Sequence, residues 1–213
     1  TIAEGRTVLA QNMERGGTHF SLKGDVKAAH RRVKNRRKDH GRQACQLNPP
    51  YVWLNQVGTF GIGSAAYWWA RLVSGPNRIV LYVMENTWFW QLLFADDYQW
   101  SAGGGDAVIA ILSGVLLLMV LGVPFSESKF RGGFQLDWVG YWMDYTNFET
   151  GLSESRALWI QKWLQRKLQD GAVRSFEFRE ARGRLGFASG AVEAWRPFLG
   201  PLYAWVAVLP PLA

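Results

Sequence analysis

From Val108 to Pro124 the chain carries no charged side chain, and a helix made of such a stretch has only two physical refuges. It crosses a bilayer, or it lies buried against another layer of the protein. The helical part, closed by Gly122 and Pro124, falls short of the roughly 20 residues that a membrane span needs. No Lys/Arg cluster hugs either end, and the mean hydropathy of the whole chain is −0.10. A helix covering one face of a sheet is therefore the favoured reading, with a single-span membrane protein as an alternative. The chain has the means to build that core, being 48% apolar and only 19% charged over 213 residues, with 12 Trp.

The strands for such a sheet are legible as alternation. From Thr18, the residues Phe20, Leu22 and Val26 fall on one face, and Ser21, Lys23 and Asp25 on the other, the period of a half-buried strand. Asn48-Pro49-Pro50 punctuates the chain, and Tyr51 to Val57 reads as a second strand. The glycine-rich turn Gly58–Ser64 leads into a helix over Ala65–Val73, with Ser64 as its cap and Gly75-Pro76-Asn77 as its end. Ile79–Val83 and Trp88–Ala95 read as strands. The second of these meets Tyr98-Gln99-Trp100 across Asp96-Asp97, which places two acids at a hairpin tip.

Asp106 is positioned to cap the apolar helix, which runs to Leu121. Phe134–Tyr141 reads as a strand and Asn147–Gly151 as a linker. Ser153 then caps a periodic helix carrying Ile160, Trp163, Leu164 and Leu168 and ended by Gly171. A further helix is expected around Leu185–Trp195, before a proline-rich end. Residues 1–17 read as a polar, surface-lying lead-in without an apolar signal core, so an intracellular (nuclear or cytoplasmic), non-secreted protein is expected.

Charge is unevenly placed. Residues 1–50 hold 11 Lys and Arg against 4 Asp and Glu, residues 51–150 hold 4 against 8, and residues 151–213 hold 9 against 5. Basic ends around an acidic centre suit a polyanion gripped at its flanks, with divalent cations at the centre; solvated surface charge is the plainer alternative. One cysteine excludes a disulfide framework.

The adjacent carboxylates Asp96 and Asp97, flanked by Phe94 and Trp100, repel one another and need compensation. A divalent cation supplies it most simply. Asp25, on the open face of another strand, is the natural third member. A surface Asp-Asp turn is the competing interpretation.

Five stretches, in order, resemble motifs of the reverse transcriptases. Leu92–Asp97 is similar to their aromatic-x-Asp-Asp motif, and Leu22–Ala29 to the first palm motif, in which an Asp ends a strand. Thr59-Phe60-Gly61-Ile62-Gly63-Ser64-Ala65 resembles Pro-Phe-Gly-Leu-Ser-Ser-Ala. Leu121–Lys129 resembles the next motif, including its lysine, and Asp137-Trp138-Val139-Gly140-Tyr141 resembles the hairpin that grips the primer. Gly183–Phe187 and Arg196–Leu199 are reminiscent of the thumb side in tyrosine-recombinase-type retrotransposons.

The resemblance implies an α+β fold: a palm, its antiparallel sheet backed by helices, over residues 18–146. A residual fingers segment over 1–17 would precede it, and a partial helical thumb over 147–213 would come after it. It implies RNA-directed DNA polymerisation, with two Mg²⁺ (or Mn²⁺) ions, a dNTP, an RNA or DNA template with a DNA primer, and no stable membrane association. Asp25, Asp96 and Asp97 would be catalytic. Asp25, Asp96 and the Val26 carbonyl would hold metal. His30, standing where the family has Tyr or Phe, would sit with Phe60, Gly61 and Lys129 around the nucleotide. Arg31, Arg32, Lys34, Arg36, Arg37 and Lys38, together with Trp138 and Gly140, would contact nucleic acid. A catalytically inactive remnant that binds nucleic acid is the alternative.

Three smaller readings complete the sequence. His19, His30, His40 and Cys45 match no tight zinc spacing. Cys45 is expected in the core. Trp159 and Trp163 lie four apart on a helix, the spacing of a packed pair.

Overall fold

A computed structural model describes residues 2–59 and 61–208. It opens with helix α1 (Ile2–Arg15), so the lead-in is not simply a surface segment. Glu4 in its first turn and Arg15 in its last complement the helix dipole. Gly5, Val8, Leu9 and Asn12 form a buried stripe at helical spacing. The polar composition hid that stripe because only two large apolar residues carry it.

The stretch Thr18–Gly133 forms one compact unit. It contains β1 (His19–Asp25), the short β2 (Ala44–Cys45) and β3 (Trp53–Leu54), helix α2 (Gly63–Val83), β4 (Phe89–Phe94), β5 (Asp97–Gly103), helix α3 (Ala107–Val120) and β6 (Arg131–Gly133). Four strands make an antiparallel sheet in the order β4-β5-β1-β6, and β2 and β3 form a separate ribbon. The unit is α+β, with the sheet backed by helices.

The core of this unit stacks Tyr98 on Trp100, ring centroids 5.0 Å apart, with Phe125 edge-on to both. Helix α3 lays Ala107, Ile111, Gly114, Val115 and Leu118 inward. Gly114 is required there, because a Cβ would stand 2.8 Å from the Phe89 ring. The apolar stretch thus finds its refuge on a sheet. Among the described residues no helix is long and apolar enough to cross a membrane, and the single-span alternative has no support.

Three expectations fail in α2. The helix does not end at Gly75-Pro76-Asn77, and Ile79–Val83 is helical rather than a strand. A proline inside a helix costs about 3 kcal/mol, but Trp69, Val73 and Val80 are all buried on this helix. Burying three such side chains offsets that cost, at roughly 1.5–3 kcal/mol each. Asn77 also accepts a hydrogen bond from the Tyr98 hydroxyl at 2.5 Å. Ser64 does not cap; the helix begins at Gly63 after Ile62. The strand expected over Tyr51–Val57 shrinks to β3, and Cys45 is exposed because no layer covers β2.

The other unit comprises Thr1–Gly17 with Phe134–Ala213. Residues 134–146 thus fall in the same compact unit as the C-terminal part of the chain. Here β7 (Gln135–Trp138), β8 (Tyr141–Asp144) and β9 (Glu149–Leu152) form an antiparallel meander. Helices α4 (Glu154–Asp170), α5 (Ser175–Ala188) and α6 (Arg196–Val208) come next.

The expected linker at Asn147–Gly151 is largely β9, and the helix expected at Leu185–Trp195 is instead the end of α5, a turn and a 3₁₀ segment. Gly171, at φ +64°, ends α4 as anticipated. Trp163 is buried and Trp159 stacks on it at 6.1 Å, so this pair packs. The proline-rich end lies outside the described residues.

Candidate functional site

The ends of three strands meet at one edge of the four-stranded sheet. Asp25, the last residue of β1, lies opposite Asp97, the first residue of β5, in antiparallel register. The backbone N–H of Val26 donates to the carbonyl of Asp96 at 2.9 Å. Asp25 and Asp97, 72 residues apart in the chain, thus become neighbours through a sheet ladder rather than through flexible loops.

The β4–β5 hairpin closes with Phe94 paired to Asp97, leaving Ala95 and Asp96 as its two-residue loop. Ala95 takes φ +54°, a left-handed conformation that costs a residue with a Cβ about 1 kcal/mol or more. The Trp69 indole N–H donates to the Ala95 carbonyl at 2.8 Å and helps hold the turn.

A third segment completes the site. The backbone N–H of Ser126 donates to the Asp25 carbonyl at 2.8 Å, Lys27 N–H donates to the Pro124 carbonyl at 2.8 Å, and Val26 bridges Phe125. This carries Lys129, on the 3₁₀ turn Glu127–Lys129, to an ion pair with the Asp25 carboxylate. The Asp25 carboxylate pushes the lysine's pKa upward, with the Asp96 and Asp97 charges adding to it.

Asp97 bears the opposite burden. Partial burial pushes its carboxyl above the usual range, the charges of Asp96 and Asp25 push it further, and Lys129 and Lys23 only partly counter them.

A cleft of about 400 Å³ opens beside these groups, lined by Asp25, Val26, His30, Thr59, Asp96 and Lys129 among others. His30 stands on the 3₁₀ turn Ala29–Arg32. Gly58 brings the glycine-rich segment against that turn: a Cβ there would lie 2.5 Å from the His30 carbonyl oxygen. Gly61 takes φ +85°, which favours glycine. Phe60 lies outside the described residues.

Among the described residues no three His, Cys, Asp or Glu side chains form a ready-made metal cage, and the zinc grouping does not assemble. His19 packs against the edge of Trp88 at 4.4 Å, and His40 contacts the Asn35 carbonyl. The acidic edge is different in kind. Its donors are all hard oxygens, its negative charge is under-compensated, and Mg²⁺ is commonly held by one or two carboxylates plus substrate phosphates. Asp25, Asp96 and the Val26 carbonyl therefore fit a divalent ion.

The basic run divides. Arg31 reaches the cleft, whereas Lys34, Arg36 and Arg42 line a broader groove of about 800 Å³ with Ser64 and Trp68 from the start of α2. Arg32, Arg37 and Lys38 are exposed.

Trp138 and Gly140 belong to the other unit. Val139 and Gly140, at φ +50° and +82°, make the β7–β8 turn. Trp138 is 3% exposed, so its ring belongs to the packing of this unit, and the exposed face of β7 carries Gln135 and Asp137. Arg156 crowds Gly140 and lies over the Phe187 ring at 4.1 Å.

Ser126, Thr59 and the strained Ala95 lie within the motif stretches, but the sequence does not single them out. Ser126 enters through its backbone N–H, Thr59 through its place on the cleft wall and Ala95 through its backbone conformation.

Neither a scan of protein families nor a search of curated proteins returns a match to the sequence. Solved structures do match. A foamy viral protease-reverse transcriptase in complex with double-stranded DNA superimposes with a TM-score of 0.62 at 15% identity, covering 90% of this chain and 31% of that one. The same viral protein in complex with an RNA/DNA hybrid gives 0.60 at 14%, covering 90% and 24%. Candida tropicalis telomerase, truncated from its C-terminal domain, gives 0.54 at 10%, covering 71% and 39%. The fold is that of the reverse transcriptase and telomerase polymerase domains. This chain spans between about a quarter and two fifths of the length of these neighbours.

Proposed function

We propose that this chain is a palm region, with part of a helical thumb, that transfers a nucleotide from a dNTP to a primer 3′-hydroxyl on an RNA or DNA template. The observation that carries the proposal is the pairing of Asp25 with Asp97 across β1 and β5, with Asp96 tied to Val26 at the same edge.

Asp25, Asp96 and the Val26 carbonyl would hold divalent cations, Mg²⁺ or Mn²⁺. When bound, these supply charge neutralisation at the attacking and leaving oxygens of phosphoryl transfer. Asp97 adds negative potential that favours the bound ions. Lys129, released from Asp25, would donate a proton to the leaving pyrophosphate. His30 and Thr59, with Gly58 packed against the His30 backbone, shape the wall against which a nucleotide sugar and base would rest. The structures of neighbours bound to double-stranded DNA and to an RNA/DNA hybrid support a nucleic-acid ligand.

The test is primer extension. Asp96→Asn abolishes metal-dependent extension without lowering the melting temperature; retained extension rejects the assignment. A finer origin, in a tyrosine-recombinase-type retrotransposon, rests on Gly183–Phe187 and Arg196–Leu199 alone, and an intracellular site of action goes with it. The groove lined by Lys34, Arg36 and Arg42 favours one second reading, a non-catalytic nucleic-acid-binding chain. In that case binding persists while no extension is seen with wild type.

A further inference from the structure

Between His30 and Gly58 the chain leaves the sheet and returns as a two-legged arm. The legs are tied at the base by Gly58 N–H to the Val33 carbonyl at 2.7 Å and by Asn35 N–H to the Gln56 carbonyl at 2.9 Å. Farther out, β2 pairs with β3 through Ala44–Leu54 and Cys45–Trp53. A two-stranded ribbon is marginal in water unless one face is covered. Here neither face is: Trp53 and Leu54 point to opposite sides of the ribbon and are both more than half exposed, as are Tyr51 and Leu47.

The arm's charge is segregated. Residues 31–42 carry seven Lys and Arg against one Asp, whereas residues 43–58 carry no charged side chain. A cationic base below an uncharged aromatic tip matches a ligand with a phosphate backbone and accessible ring faces. Duplex nucleic acid hides its ring faces, and single strands present them. Both legs rise from the rim of the carboxylate cleft, which His30, Arg31 and Thr59 line.

We propose that this arm is a docking surface for single-stranded nucleic acid, with phosphates on Arg36, Arg37 and Lys38 and bases stacked on Tyr51 and Trp53. It deepens the polymerase reading, since the unpaired template beside the cleft is its natural occupant, but its test needs no catalysis.

The experiment is fluorescence anisotropy of a labelled single-stranded oligothymidylate with the full chain, in chelator, at about 50 and about 200 mM salt. Trp53→Ala and Tyr51→Ala each weaken binding about tenfold, and Trp53→Phe retains affinity within about threefold. The salt slope is unchanged in the aromatic variants, while Arg36→Gln and Arg37→Gln each reduce it by about 0.7. Duplex binding is unaffected by Trp53→Ala. All these side chains are exposed, so melting curves match wild type.

Wild-type affinity in both alanine variants overturns the proposal. So does binding to anionic phospholipid vesicles, lost in Trp53→Ala, without binding to the oligothymidylate. If Trp53→Ala binds normally while Asp96→Asn still abolishes extension, the arm proposal falls and the polymerase reading stands. If the aromatic variants lose the strand but wild type extends nothing, the reverse holds.

Discussion

Asp97 shows how a single side chain records the demands of the cleft. Its carboxyl is pushed upward by partial burial and by two like charges, so the folded state holds its proton more tightly than the unfolded chain does. Stability tied to that proton is present below the ordinary aspartate range and is lost as pH rises through the raised folded value. Asp97→Asn escapes this loss. In chelator, the variant's melting temperature exceeds that of wild type at neutral pH, and the gap narrows on acidification toward the ordinary aspartate pKa. A gap that does not change with pH removes the electrostatic explanation. Added Mg²⁺ raises the wild-type midpoint more than the variant's.

His30 makes a second demand at this scale. On the proposed function, His30, which lines the cleft, meets the nucleotide sugar with a polar ring in place of the apolar face of a Tyr or Phe. Discrimination against ribonucleotides is therefore weaker in wild type than in His30→Phe, as read by incorporation of rNTP against dNTP. Equal rejection by both proteins removes this role.

At the scale of elements, the site depends on what lies under it. Leu118 on α3 is fully buried beneath the sheet, and Leu118→Ala costs about 2–5 kcal/mol by denaturant unfolding.

In the other unit, Asp144 ends β8. It accepts hydrogen bonds from the backbone N–H groups of Thr146 and Asn147 at 2.7 and 3.0 Å, and from the side chains of Gln135 and Asn147. Burial alone would raise its pKa, but these four donors outweigh burial and hold it below the usual range. Its contribution is therefore present above the ordinary aspartate pKa and is lost as pH falls through the lowered folded value. Asp144→Ala removes the acceptor of these four hydrogen bonds, whose donors sit on exposed residues that water reaches, and costs about 1 kcal/mol at neutral pH, with the difference shrinking in acid.

For the whole molecule, the +7 net charge is less informative than its placement. On the proposed function, the cations gathered along residues 31–42 make nucleic-acid affinity fall steeply with salt. A flat salt response would show that the basic residues are solvated surface. The four-stranded sheet's compact unit runs to Gly133, and the residues after it form their own meander.

The legible part of the protein was whatever its neighbours in sequence decide. Alternation along β1, the turn between β4 and β5, the uncharged α3 and the glycine-ended α4 each arise from periodicity and local backbone preference. So did the candidate carboxylates, because adjacent acids between apolar strands are costly without a counter-charge. What needed the tertiary structure was every case in which distant packing outweighed a local rule. Buried Trp69 and Val80 carry α2 through Pro76, Trp138 is drawn inward, and Cys45 is left exposed for want of a covering layer. The approach of Asp25 to Asp96 and Asp97 belongs to the same class. Sequence supplied the three acids, but only the antiparallel pairing of β1 with β5, a contact across more than seventy residues, placed them on one edge. Long-range hydrogen bonding and burial are properties of the assembled sheet, and no window along the chain contains them.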